Sequence, residues 1–399
     1  MNTKTLFFFL VFMGCLGQFA SDIYTPAVPH IAHYLATSSN AVQWTMAAYL
    51  FAMSVSILFY GPLSDGVGRK KAVYVGIVIM IIGSVTCALS TSITMLMIGR
   101  VIQGLGTGAT GSLWRSIFRD RCSGAEMSKL VSYLGIIVTF IIAVAPIFGG
   151  YLNTYISWHA IFWFLSAYSL LVLLATKYLY QETSTTHHIS HLKPTFIWQS
   201  YRTLLFSKAF MGFALCSFIT YGAFFSWFVM SPIILIQHAG LSSIQYGWLD
   251  FAAGGVPVMI CAYLNGKLVG KIGGKPLLRM GWAITICSGI LMVVGNLLFG
   301  VHAWNVLIPA VLFYFGINFI WPNVFAGAFE HCGKIAGFAG SLYAFIQLLG
   351  GAVFGGIVTH LPDHNQIALG IVFIVLPAIA WAWYEFGVKP RTIPNSPKY

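Results

Sequence analysis

The sequence predicts an all-α integral membrane protein: twelve transmembrane helices in two parallel six-helix repeats, with both termini cytoplasmic. Three observations carry this reading. Of 399 residues, 58% are hydrophobic and only 8% are charged, whereas soluble domains carry roughly 25% charged residues. Apolar runs long enough to span a bilayer recur along the whole chain. One glycine-rich turn, Gly61–Lys70, returns at the corresponding place in the second half. This composition excludes a cytosolic enzyme, a secreted domain and a disordered chain. The 41 glycines and 16% aromatics suit close-packed membrane helices.

The apolar segments fall at about 5–29, 42–64, 70–90, 92–114, 128–150, 157–180, 209–236, 244–266, 277–299, 303–326, 336–359 and 366–387. Each approaches the ~20 residues that cross a bilayer as a helix. The first resembles a signal-peptide core from Leu6 to Leu16. Its only flanking charge is Lys4, and it stays apolar past Ala20, so it reads as a span. Lys and Arg then orient the chain. Twenty of the 21 lie in the tails or in the turns after even-numbered segments, and the turns after odd-numbered segments hold none. The positive-inside rule therefore places both termini in the cytoplasm. The net charge of +12 is a topological signal, and nucleic acid is excluded as a partner. The one remaining cation, Arg100, lies inside the fourth segment. The seven cysteines are scattered without metal or redox spacing and read as small packing residues. Neither a cofactor nor a metal is expected.

The longest polar stretch, 181–208, divides the chain. Residues 1–182 form an N-terminal six-helix bundle, 183–208 a cytoplasmic linker, and 209–399 a C-terminal six-helix bundle with a short tail. His187, His188 and His191 fall in the linker and read as solvated side chains rather than a metal site. Gly61, Leu63, Gly68 and Lys70 align at one offset with Gly266, Leu268, Gly273 and Lys275. That repetition indicates duplication, the way many transporters build alternating access around a central site.

These residues resemble a family. Gly61-Pro-Leu-Ser-Asp65-Gly-Val-Gly68-Arg69-Lys70 is similar to the signature loop of the major facilitator superfamily. Leu96, Arg100, Gln103 and Gly104 match its second motif, and Ala145-Pro146-Ile-Phe-Gly149-Gly150 resembles the antiporter motif of proton-driven drug exporters, a hinge in the fifth helix. Asp22-Ile-Tyr24-Thr-Pro26-Ala-Val-Pro29 and Arg115-Ser-Ile-Phe-Arg119-Asp120 look like the Bcr/CflA-type multidrug efflux branch. Departures are Gly66 where an arginine is common, Ala145 in place of a glycine, and Gly270 where the second copy of the loop would carry aspartate. The resemblance implies a monomer in the bacterial inner membrane. It also implies a conformational latch of Gly61, Asp65, Gly68, Arg69 and Asp120, in which Arg69 pairs with Asp120 and Asp65 faces the N-terminus of the eleventh helix.

Among nine acidic residues, Asp22 and Asp250 lie well within spans. An ionised group at mid-bilayer costs about 2.5–3.5 kcal/mol on insertion scales, so such residues face a cavity or a partner. Asp22 and Arg100 sit at similar depths, with Gln18 and Gln103 beside them, and a purely structural ion pair is one reading of this group. Pro26 cannot donate to the Asp22 carbonyl, so the first helix is broken there. Pro322 stands in the same relation to Asn318. Tyr221, Phe224, Phe225 and Phe228 form one stripe, and Tyr314, Asn318 and Trp321 another. An aromatic cavity with few polar anchors suits bulky amphipathic or cationic ligands. Gly106-Thr-Gly108-Ala-Thr-Gly111 matches a dinucleotide-binding pattern, but no strand precedes it, and its glycines read as helix packing.

The function expected is proton-coupled secondary transport that exports small amphipathic or cationic molecules. Asp22 is the proton carrier, Arg100 tunes it, and Asp250 is the rival carrier. Burial and a nearby guanidinium act oppositely on a carboxyl, so hydration or distance can control its proton. Alternatives are a dedicated metabolite or siderophore exporter, or a proton symporter. A membrane-embedded enzyme or receptor is remote, because no acidic ligand set is grouped.

Overall fold

A computed structural model of the chain describes residues 3–121, 124–182, 194–330 and 336–388. Every regular element among them is helical. In chain order the helices are α1 (Thr3–Asp22), α2 (Val28–Tyr34), α3 (Ser39–Val67), α4 (Arg69–Ala88), α5 (Ile93–Arg121), α6 (Gly124–Tyr155) and α7 (Trp158–Tyr178). The second half holds α8 (Pro194–Leu205), α9 (Lys208–Pro232), α10 (Ser243–Asp250), α11 (Val256–Ile272), α12 (Gly274–Phe299), α13 (Ala303–Phe329), α14 (Ala336–Val358) and α15 (Ile367–Trp383). Ten stretches of the described chain are long and apolar enough to cross a membrane. Two further long helices, α5 with 29 residues and α6 with 32, occupy the fourth and fifth expected segments.

The first apolar segment is broken where proline requires it. α1 stops at Asp22, a 3₁₀ turn occupies Thr25–Ala27, and α2 resumes at Val28. Pro26 has no N–H for the Asp22 carbonyl, and Thr25 Oγ1 donates to that carbonyl instead, at 2.8 Å. Pro322 has no such consequence. α13 runs through it as continuous α-helix, and Asn323 beside it donates to Phe319 O at 2.9 Å and to Asn265 Oδ1 at 2.9 Å. Side-chain and interhelical bonds of this kind let membrane helices tolerate proline.

The duplication is visible in backbone geometry. Gly68 joins α3 to α4 at φ 98°, ψ 149°, and Gly273 joins α11 to α12 at φ 79°, ψ 168°. Each N–H closes the preceding helix, onto Ser64 O at 3.1 Å and Val269 O at 3.0 Å. Only glycine occupies that region without strain of about 1–3 kcal/mol. Gly68→Ala and Gly273→Ala should therefore each lower unfolding free energy by about 1–3 kcal/mol, read from chemical denaturation in detergent. An unchanged midpoint would contradict the assigned backbone.

α5 is central to the first half. Gly104 and Gly108 lie against the α3 backbone at Tyr49 and Ile57, and Gly106 lies against α4 at Met80, so close that a Cβ has no room. The glycine pattern serves helix packing, not nucleotide binding. The linker also differs from a plain coil. Its last part is α8, and Tyr201 on that helix donates to Leu58 O at 2.9 Å and packs edge-on to Phe338. His187, His188 and His191 lie outside the described residues.

Candidate functional site: a carboxylate at the break of the first span

The break in the first span creates the site. A helix that stops at Asp22 leaves its last carbonyls without partners. Arg100, fully buried on α5, reaches one of them, donating from Nη1 to Ala20 O at 3.0 Å. A cation at a helix C-terminus also suits the helix dipole. The guanidinium lies over the rings of Tyr24 and Tyr49, at 4.5 and 4.2 Å from their centroids, and cation–π attraction replaces part of its hydration. Tyr24 is anchored to Thr45 Oγ1 at 2.8 Å, and Tyr49 to Gly17 O at 2.8 Å.

Asp22 and Arg100 do not form the ion pair that their matching depths suggest. Among the described residues no ion pair within 4.0 Å joins them, and Arg100 Nε and Nη2 have no hydrogen-bond partner. The reason lies in the break itself: the guanidinium is held by the Ala20 carbonyl and by the rings of Tyr24 and Tyr49. Asp22 still lies within electrostatic reach of Arg100, and also of Asp250. Gln103, expected to line the cavity, is fully buried behind Arg100. Its Oε1 accepts from Arg100 at 2.6 Å, and its Nε2 donates to Ser84 Oγ at 2.9 Å. Gln18 is half-buried on α1.

From the other half, Asp250 ends α10 immediately before a π-helical turn, Phe251–Gly255. Such turns are frequent at functional sites. Asp250 is 5% exposed and accepts from Trp227 Nε1 at 2.7 Å. The sequence reading missed Trp227, because a bond between helices 23 residues apart has no periodic signature. The aromatic stripes of α9 and α13 meet. Phe224 lies 4.8 Å from Trp321 and 5.8 Å from Tyr314, and Tyr221 lies 5.6 Å from Trp321. Phe228 packs on Phe224 at 5.0 Å. Phe225 instead abuts Gly355 on α14. Asn318 is half-buried, and its Nδ2 returns to Tyr314 O at 2.9 Å. Trp321 Nε1 is buried without a partner among the described residues.

The antiporter-motif glycines sit where the halves touch. A Cβ on Gly149 would run into Ile23 O and Pro26 of the broken span. A Cβ on Gly150 would meet the backbone of Ser243 at the start of α10. Gly247 on α10 lies against the Pro146 carbonyl and Ile147 in the same way. Polar contacts extend this seam. Ser243 Oγ donates to Pro26 O at 2.9 Å, Asn153 Nδ2 donates to Ser243 Oγ at 3.2 Å and also meets His30, and Gln237 Nε2 bonds Ser39 Oγ at 2.9 Å.

At the basic end, Arg69 pairs with Asp65 at 2.6 Å and with Asp120 at 3.1 Å, and also bonds Ser64. The Arg69–Asp120 pair is the one the resemblance implies. Gly61 faces Ser341 of α14, while the residues just before Ala336 lie outside those described. Glu182, missed from sequence, accepts from the backbone N–H groups of Arg69 and Lys70 at 3.1 and 3.0 Å. A carboxylate there suits the positive end of α4. The second half has a comparable tie between its third span, α12, and the turn after α15: Glu385 takes Arg279 in a two-pronged bond at 2.6 and 3.0 Å.

Comparison with known proteins agrees with this architecture. The family model described as Major Facilitator Superfamily matches residues 8–355. The chain is 30% identical to Multidrug resistance protein D of Escherichia coli, over 93% of this chain and 92% of that protein. It is 29% identical to a Bicyclomycin resistance protein homolog of Haemophilus influenzae, over 90% of each. In fold it resembles the solved D-xylose-proton symporter, with TM-score 0.74 at 16% identity, covering 98% of this chain and 100% of that one. With its repeated glycine turn, its motif residues in order and a family match over most of its length, the chain belongs to the Major Facilitator Superfamily.

Proposed function

We propose that this membrane transporter is a proton-coupled exporter of small amphipathic or cationic molecules, working by alternating access as a monomer in the bacterial inner membrane. The observation that carries the reading is Asp22: a buried carboxyl at the break of the first span, with no cation paired to it within 4.0 Å among the described residues, one turn from the Pro26–Ser243 contact between the halves. An acid so placed can take a proton from one side and release it to the other. The aromatic stripes of α9 and α13, with the unpartnered Trp321 N–H, supply apolar area and a donor for substrate. The resistance proteins among the relatives favour export of foreign compounds over a dedicated metabolite route. We further infer twelve spans, with α5 and α6 crossing the bilayer and both termini cytoplasmic. Twenty of 21 basic residues on one side support this, and a terminal tag reached by reagents outside intact cells would contradict it. Transport by purified protein in liposomes, with and without a pH gradient, tests the function; rates indifferent to the gradient would overturn it.

The Arg69 cluster reads as a latch on the cytoplasmic side, outside the substrate path. Its ion pairs join the ends of α3, α4 and α5, and such pairs exchange between states. Asp65→Asn should slow turnover several-fold, about 1 kcal/mol in the barrier, and leave substrate affinity nearly unchanged. Initial transport rates alongside equilibrium binding check this. Lost affinity at normal turnover would place Asp65 in the substrate site instead.

A further inference from the structure

Asp22 and Asp250 belong to different halves, yet successive contacts lead from one to the other. Ser243 on α10 donates to Pro26 O at the broken span. Further in, the Tyr246 hydroxyl lies against Thr25 and bonds Ser231 Oγ at 2.9 Å. About one more turn along each segment arrives at Asp250, four residues after Tyr246, and at Asp22, three residues before Thr25. The two carboxylates interact electrostatically, and Tyr246 and Tyr314 each feel both of them. Both are nearly fully buried, and among the described residues neither is ion-paired within 4.0 Å.

We propose that Asp22 and Asp250 form one shared-proton site that is assembled only when the Pro26–Gly149–Ser243 seam is closed. Two like charges that feel each other in a low-dielectric interior destabilise one another, and a proton on one of them removes the repulsion. One proton between the carboxylates relieves the repulsion, and parting the halves relieves it without a proton. The other ionisable or charged groups around the pair are Arg100, Tyr24, Tyr49, Tyr221, Tyr246 and Tyr314. The guanidinium stays charged and phenols titrate near pH 10, so among these groups the carboxylates are the ones that exchange a proton. His30, which meets Asn153 on the seam, is replaced throughout the test as His30→Gln, so that its imidazole does not titrate there. Asp250 is thus the partner of Asp22, not its rival. A proton taken from the outer water permits closure. Its release to the cytoplasm leaves two facing charges that drive the seam open again. This deepens the proton-coupled reading and rests on it for the direction of coupling. The pairing itself can be read without transport.

The test uses the purified full chain. Positions 33 and 238, exposed on neighbouring elements at opposite sides of the seam, are replaced by azide-bearing residues and spin-labelled, which also removes their own titration. The short-distance population should grow as pH falls. Asp22→Asn and Asp250→Asn should each hold that population independent of pH, and Asp250→Glu should restore the response. A pH response that survives Asp250→Asn, or its absence in the parent, overturns the shared site. If Asp250→Asn does not yield folded protein, a response retained in Asp22→Asn overturns it equally. Gradient-driven transport is measured on the same preparations. A parent whose distances respond to pH but whose transport ignores the gradient refutes the exporter reading and leaves the pair standing.

Discussion

Asp22→Asn is expected to lower gradient-driven transport by about tenfold or more, to the rate seen without a gradient. The amide keeps the volume and polarity of the carboxyl but cannot carry a proton. The surroundings make this a functional loss rather than a folding defect. The Asp22 main-chain carbonyl is already occupied by Thr25, and among the described residues no ion pair depends on the side chain. Thermal unfolding should therefore stay close to the parent, and substrate-induced stabilisation should persist. The measurement is initial transport into liposomes with an imposed pH gradient, set against the same liposomes without one. Transport that keeps its full gradient dependence would remove Asp22 from the proton path.

Gly149→Ala is expected to have the other large effect, on stability and transport together. One added methyl would be driven into the Ile23 carbonyl and Pro26. These are backbone and ring atoms at a break already fixed by proline, so no rotamer change relieves the contact. Overpacking of this kind costs about 1–3 kcal/mol. Here the cost falls on the contact between α6 and the broken first span, next to the junction of the halves, so transport should fall as well. Gly14→Ala is the control. It sits inside α1 with nothing within 4 Å of its added Cβ, and alanine should leave stability unchanged or raise it by about 0.5–1 kcal/mol. Thermal unfolding of both variants in one detergent decides the matter. Equal melting of the two would show that α6 does not approach Ile23 as described.

The close approach of α5 to α3 and α4 was legible in Gly104, Gly106 and Gly108, because only small residues let helix backbones touch. The Arg69–Asp120 ion pair was legible through the family resemblance, which implies that pairing. Other parts of the site had no linear signal. Arg100 was expected beside Asp22 because the two share a depth. Depth, however, does not say which way a side chain turns, and the Ala20 carbonyl, two residues before Asp22 at the same helix end, took the guanidinium. Gln103 was expected in the cavity and is held by Arg100 and Ser84 instead. Trp227, Glu182 and Ser243 meet partners far along the chain, beyond the reach of any 3.6-residue period.

What the sequence alone determined is which stretches leave water, that the first span breaks at Pro26, and which turn is repeated. Those properties follow from composition, proline and glycine, each of which acts on its own neighbourhood. What only the tertiary structure decided is which buried polar group faces which. That choice depends on how the helices lie against one another: Trp227 against Asp250 and Gly150 against Ser243 are outcomes of packing, and packing sums contacts that no single segment contains.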